Sequence, residues 1–414
     1  MRRREFLKLS AALPLAGCAT AGASRARVVV IGGGYGGATA SKYIRMWDPA
    51  IEVVMVERAD VFTSCPISNL VLGGNRSMQE IRHGYDGLRK RGVQVVRDEA
   101  TAVDVAKKTV KLARGAELRY DRLIVSPAVD FLFDEVQGYA ASQATVLHAW
   151  KAGEQTIALR RQLEAMKDGG VYVLSIPVAP YRCPPGPYER ACQVAHYFKR
   201  AKPRSKVLLL DANPDVTSKG PLFKRAWEEL YKGMIEYRGN SKVVGVEAKS
   251  MAVRTDFDTI KGDVLNVVPP QRAGDIALKA GLITHNNRWC DVDWRTLESK
   301  AVKDVHVLGD ATLSASGMPK SGHMANAHAK VCAAAVIELL SGRPPNPNPV
   351  MTNTCYSFVS DREVIHVASV HQYDAAQDTI LPVKGAGGVS PARSELEGAY
   401  GWSWARNIWA DMLS

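Results

Sequence analysis

Beyond its N-terminus this chain of 414 residues has no run of eighteen apolar residues, which excludes an ordinary membrane-spanning helix there. It contains no Cys-x-x-Cys-His, so a haem has no covalent attachment point on it. Cysteine is sparse. With Cys18 set aside, Cys65, Cys183, Cys192, Cys290, Cys332 and Cys355 are too widely and irregularly spaced for a disulfide framework or a zinc site. His323 and His328 fall at helical spacing without further ligands, so no metal site is expected. There is no low-complexity run and no repeat beyond a doubling of βαβ units. The formal net charge is +12, but its basic residues are scattered, with one mild cluster at Lys199, Arg200, Lys202, Arg204 and Lys206. That pattern fits a solvated surface, or steering toward an acidic protein face, better than nucleic-acid binding.

The most informative absence lies after the apolar strand Val171–Ile176. A second nucleotide-binding unit would carry a glycine loop there, with bare backbone N–H groups facing a pyrophosphate. Instead the chain reads Val178-Ala-Pro-Tyr-Arg-Cys183-Pro-Pro-Gly-Pro-Tyr-Glu189-Arg190. Prolines remove donors and block close approach. No NADH or NADPH is expected to bind, and a cysteine stands where phosphate would have been.

The first third of the chain has what the second unit lacks. Val28–Ile31 reads as a buried strand, Gly32, Gly34 and Gly37 form the glycine turn, and Ala38–Trp47 follows as a helix. The next strand, Ile51–Val56, ends in Glu57, an acid placed to bond a ribose hydroxyl. NAD would satisfy the same pattern, so a second feature must identify the ligand. Val305-His-Val-Leu-Gly-Asp310 supplies it, a short strand ending in a carboxylate suited to a flavin's ribityl chain.

The N-terminus, Arg2-Arg3-Arg4-Glu5-Phe6-Leu7-Lys8 before a short apolar stretch, reads as a twin-arginine export signal occupying residues 1–24, and implies a periplasmic protein. Leu15-Ala16-Gly17-Cys18 fits a lipoprotein cleavage box that would leave a lipidated Cys18; cleavage near Ala21–Ser24 is the competing reading.

A glycine loop and a distant Gly-Asp strand together resemble the glutathione-reductase-like flavoproteins. The resemblance implies an α/β fold with two Rossmann-like βαβ domains and a C-terminal α+β domain. FAD-binding segments would occupy residues 25–149 and 271–345, flanking a nucleotide-like domain at 150–270. An interface domain would follow at 346–414, after the proline-rich break Arg343–Pro349. In such folds the loops carrying Cys183 and Cys355 converge over the flavin, and a cysteine pair there can exchange two electrons with it.

Longer strings narrow the family: the Phe62–Leu70 loop, Pro180–Arg190, Pro269–Gly274, Met318–Gly322 and Asn353-Thr-Cys-Tyr-Ser357. With them the chain resembles the flavoprotein subunit of flavocytochrome c sulfide dehydrogenase across residues 27–414. The resemblance implies covalent FAD through Cys65, a redox-active disulfide between Cys183 and Cys355, and Glu189 as a proton acceptor beside it. It also implies Trp404 as an aromatic relay toward a c-type cytochrome subunit, with hydrosulfide as substrate. Where that family carries aromatics before the linked cysteine, this chain has Thr63-Ser64.

From the residues alone, Cys183 pairing with Cys192, Cys65 as a buried free thiol, Glu189 as a helix N-terminal charge and Trp404 as interface packing remain open. Two other functions fit the same fold: a sulfide:quinone oxidoreductase, with the tryptophan-rich tail Trp402–Leu413 as a membrane-facing surface, and a non-catalytic flavoprotein partner in sulfur metabolism.

Overall fold

The computed structural model describes residues 24–414, so the readings placed on residues 1–23, including Cys18, lie outside the described residues. Val28, Val29 and Val30 are completely buried in the strand Ala26–Ile31. This strand is central in a five-stranded sheet ordered Val305–Val307, Arg122–Val125, Ala26–Ile31, Ile51–Glu57, Val93–Arg97. Every pairing is parallel, which explains the unbroken apolar runs.

A second, four-stranded parallel sheet is ordered Ile235–Arg238, Lys206–Asp211, Val171–Ile176, Val264–Val267. The third part is antiparallel, with strands Val350–Phe358, Val364–Asp374 and Thr379–Val389. A C-terminal helix, Glu395–Leu413, follows it and is capped by the Ser394 side chain. The architecture is α/β, with two doubly wound units and an α+β tail.

The tail does not stand apart from the first sheet. Ile408, Trp409, Met412 and Leu413 share its hydrophobic core. Asp411 accepts hydrogen bonds from Tyr43 (2.6 Å) and Asn326 (2.7 Å), tying the C-terminal helix to Tyr35–Trp47 and Gly322–Leu340.

Val171–Ile176 has the bounds its apolar pattern predicts. The helix after the glycine loop begins at Tyr35, ahead of the expected Ala38. Gly36 and Gly37 therefore belong to its first turn, which places the helix N-terminus directly behind Gly34. The helix after Cys183 starts at Gly186, where Pro187 fits a first turn that needs no N–H donor.

Candidate functional site

A cavity of about 500 Å³ opens at the C-terminal ends of strands from both parallel sheets. Gly32, Gly34, Glu57, Cys65, Cys183, Glu189, Asp310, Cys355 and Trp404 all line it.

Its nucleotide half is built on the first sheet. Gly32 takes φ +98°, and a Cβ there would meet the Ser126 carbonyl oxygen at 2.3 Å, so only glycine turns the chain. At Gly34, the helix N-cap, a Cβ would meet nothing within 4 Å, leaving backbone open to the cavity. Gly37 is not a lining residue; its absent side chain lets the helix approach Gly32, whose oxygen is 1.8 Å from a Cβ position. Glu57 accepts the Gly33 N–H (2.7 Å) and the Ala59 N–H (2.9 Å), which holds the loop while lone pairs remain for a hydroxyl.

Asp310 Oδ1 is buried without a hydrogen-bond partner, and burial raises this carboxyl's pKa. An orphaned buried acceptor is costly unless something donates to it. The open backbone at Gly34, the acid Glu57 and the orphan on Asp310 suit a dinucleotide carrying a polyhydroxyl chain. That is the shape of FAD.

The sulfur half joins all three parts of the fold. Cys65 Sγ accepts the Ala152 N–H at 3.5 Å. Before it, Ser64 is buried, in contact with the Tyr35 hydroxyl (2.7 Å) and bonded to the Pro66 carbonyl (2.7 Å). A small hydroxyl residue thus folds this loop.

Cys183 has φ +59°, a left-handed conformation that is uncommon and strained for a residue with a side chain. Two backbone bonds hold it there, from Cys183 N–H to Lys320 O and from Gly186 N–H to Cys183 O, both 2.8 Å. Cys355 lies on the strand Val350–Phe358, its sulfur 3.5 Å from both amide atoms of Asn353.

The six described cysteines are all free, so the pair expected as a disulfide stands here as two thiols. Burial pushes both thiols up, and for Cys183 the neighbouring Cys355 is the next cause. Cys192 is completely buried in the helix Gly186–Ala201 and accepts from Trp227 Nε1 at 3.3 Å. It does not line the cavity.

Glu189 lies in the first turn of that helix but does more than charge its end. One carboxylate oxygen accepts the Phe358 N–H and the other the Asn69 amide, both at 2.8 Å, linking three segments around the two thiols. Burial raises its pKa, partly offset by those bonds. Trp404 sits with its ring 5.9 Å from His323 and 6.2 Å from Tyr356, and its indole N–H is buried without a partner.

Three polar residues at this site escaped the sequence reading. Asn69 also accepts from Arg190 Nε (3.0 Å), so it bridges two opposite charges. Asn353 shares a strand face with Cys355 through the two-residue period, a signal that was available. Lys219 is buried beside the same strand, and no pattern distinguishes it from the chain's surface lysines.

The chain is similar to known proteins. Residues 156–269 match the family described as sulfide dehydrogenase [flavocytochrome c] flavoprotein chain, central. Residues 347–413 match flavocytochrome c sulphide dehydrogenase, flavin-binding, and residues 26–157 match pyridine nucleotide-disulphide oxidoreductase. A mitochondrial sulfide:quinone oxidoreductase of Dictyostelium discoideum is 25% identical over 300 residues, covering 69% of this chain and 65% of that protein. The sulfide dehydrogenase [flavocytochrome c] flavoprotein chain of Chlorobaculum thiosulfatiphilum is 56% identical over 45 residues, which are 11% of this chain and 94% of that sequence. The fold is similar to the solved sulfide:quinone oxidoreductase of Aquifex aeolicus, with TM-score 0.76 and 17% identity over 94% of this chain and 91% of that one. From the central and flavin-binding matches and the high identity to a flavocytochrome flavoprotein, the chain belongs to the family of flavocytochrome c sulfide dehydrogenase flavoprotein chains.

Proposed function

We propose that this protein oxidises hydrosulfide at Cys183 and Cys355 and delivers the electrons to a c-type cytochrome subunit in the periplasm. The observation that carries the proposal is the meeting of two thiols, from different sheets, with a buried carboxylate in the cavity that also contains the glycine loop.

In the oxidised state the two sulfurs are joined. Hydrosulfide attacks one of them, a new S–S bond forms as the old one breaks, and the products are a persulfide on one cysteine and a thiolate on the other. Glu189, whose pKa burial raises, is the proton acceptor of this reading. Cys183 is held in its left-handed turn, so its sulfur is positioned before the attack. FAD, held by Gly32, Gly34, Glu57 and Asp310 and linked through Cys65, would supply a two-electron acceptor that releases electrons singly. Trp404, at the cavity wall, is the relay residue of this reading.

The second unit supports chemistry without nicotinamide. In its turn the N–H groups of Ala179, Arg182, Cys183 and Gly186 are already donated to the protein. Asp211, at the end of the strand where a ribose-binding acid belongs, accepts from Tyr188 (2.7 Å), Tyr237 (3.1 Å) and Asn213.

A sulfide:quinone oxidoreductase is the second reading, favoured by the similarity to that enzyme in fold and sequence. Against it stands the tail: Trp409, Met412 and Leu413 are buried in the protein's own core and Trp402 and Trp404 half-buried. No described helix is long and apolar enough to cross one. Sulfide-dependent reduction of cytochrome c and of a soluble quinone, measured side by side, decides. Cytochrome reduction alone supports the proposal, quinone reduction alone the second reading, and no turnover a non-catalytic flavoprotein.

A further inference from the structure

Lys219 carries a buried ammonium at the sulfur site, on the residue that caps the helix Gly220–Leu230. Its backbone takes φ +58°, a left-handed turn for a residue with a side chain. Its Nζ donates to Cys355 O (2.9 Å), Ser357 Oγ (2.7 Å) and Ile365 O (3.4 Å). All three acceptors are uncharged, and among the described residues no carboxylate lies within ion-pair distance of this ammonium. A buried charge whose direct partners are all neutral dipoles is expensive. It is tolerated where an anion forms nearby during function.

We infer that Lys219 is a positioning residue that fixes the Cys355 strand and supplies the positive potential that stabilises anionic sulfur, hydrosulfide on arrival and thiolate or persulfide afterwards. The inference rests on the sulfide reading of the site.

The charged and titratable groups around it agree. Burial is the largest influence and brings the lysine down to about 8; Cys355, Glu189 and Cys183, then Glu397 from the C-terminal helix, oppose it to the extent that they are ionised. A serine hydroxyl and two carbonyls saturate its three donors, so the ammonium acts on sulfur through space and through the placement of Cys355, not by direct contact. The site therefore favours a small anion over neutral hydrogen sulfide.

The test uses the flavin-loaded full chain, reduced with a phosphine that is then removed. Cys183 and Cys355 are alkylated with anionic iodoacetate and with neutral iodoacetamide, and the products are quantified in their peptides by mass spectrometry. The ratio of the two rates reports local potential, because thiol ionisation enters both rates equally. Lys219→Gln should lower that ratio roughly tenfold, the scale of one nearby charge in a partly screened cavity, while Lys219→Arg keeps it. An unchanged ratio in Lys219→Gln overturns the inference.

Should Lys219→Gln fail to load flavin, the wild type and Lys219→Arg are compared from pH 6.5 to 9.5. The wild-type ratio should fall near pH 8 as the ammonium loses its proton, whereas the guanidinium variant stays level over that step. Glu189 is common to both proteins, so their difference isolates Lys219. Parallel profiles overturn the inference. Sulfide bleaching of the wild-type flavin is recorded alongside. If sulfide does not bleach it, the sulfide reading fails while the alkylation ratios still decide whether the potential exists.

Discussion

Gly34→Ala and Gly37→Ala, made three residues apart in one helix turn, should have opposite consequences. At Gly37 the new Cβ would fall 1.8 Å from the Gly32 carbonyl oxygen, about half of an ordinary contact. The obstructing atom is backbone in the strand-to-helix turn and cannot swing aside, so the helix Tyr35–Trp47 must lift off the central strand. Overpacking of this kind costs about 1–3 kcal/mol or more, and here it also breaks the alignment of helix and glycine loop. At Gly34 the Cβ meets nothing within 4 Å, and φ −79° is comfortable for alanine. The fold should be unaffected, but the methyl projects where a pyrophosphate must approach.

Both substitutions are best made in a Cys65→Ala background, so that FAD equilibrates, and followed by thermal unfolding of the apoprotein and by FAD titration. Gly37→Ala should unfold several degrees lower. Gly34→Ala should unfold within a degree of its parent yet bind FAD at least about tenfold more weakly, a loss of about 1.4 kcal/mol. Equal destabilisation of both apoproteins, or unchanged FAD affinity in Gly34→Ala, would refute this division of roles within the loop.

Cys65→Ala alone should leave FAD bound but extractable by acid; FAD that stays with the precipitated protein would remove Cys65 from the linkage. Cys183→Ser and Cys355→Ser should each lose sulfide-driven flavin reduction while dithionite still bleaches the flavin. Cys192→Ser, a change confined to the core, should keep turning over, and the reverse pattern would put the reactive pair elsewhere. Glu189→Gln tests pH linkage. The folded pKa of Glu189 lies above its ordinary value of 4.5, so its contribution to stability is full below that value and is lost as pH rises through the folded pKa. A tenfold gain in proton affinity on folding is worth about 1.4 kcal/mol. Across that window the wild type should lose stability relative to Glu189→Gln in thermal melts, and a constant difference between the two would show that the carboxyl is not perturbed.

The sheets were legible because parallel strands announce themselves. Val28–Ile31, Val171–Ile176 and Val305–Val307 are short apolar runs bounded by glycine, proline or acid. Helix starts were less so: the helix after the glycine loop begins among glycines, which propensity alone would leave in the turn. Of the site, the residues with chemically distinctive side chains were readable, since a cysteine between prolines or an acid after a strand is rare by chance. Asn69 and Lys219 were hidden for the opposite reason. Their types are common on surfaces, and only the tertiary packing of a loop against a helix, or of a helix cap against a distant strand, makes them buried partners of Glu189 and Cys355.

The strand Val305–Val307 completes a sheet begun by Ala26–Ile31, and Asp310 follows it directly. The cradle for the flavin is thus assembled from segments with the whole of the second unit between them. Such pairing has high contact order and forms late, after the loop between its halves has been closed. A nascent chain released from the ribosome before that strand would carry the glycine loop without the ribityl-binding carboxylate. Cofactor capture in this architecture therefore waits for a strand that lies far along the chain from the glycine loop.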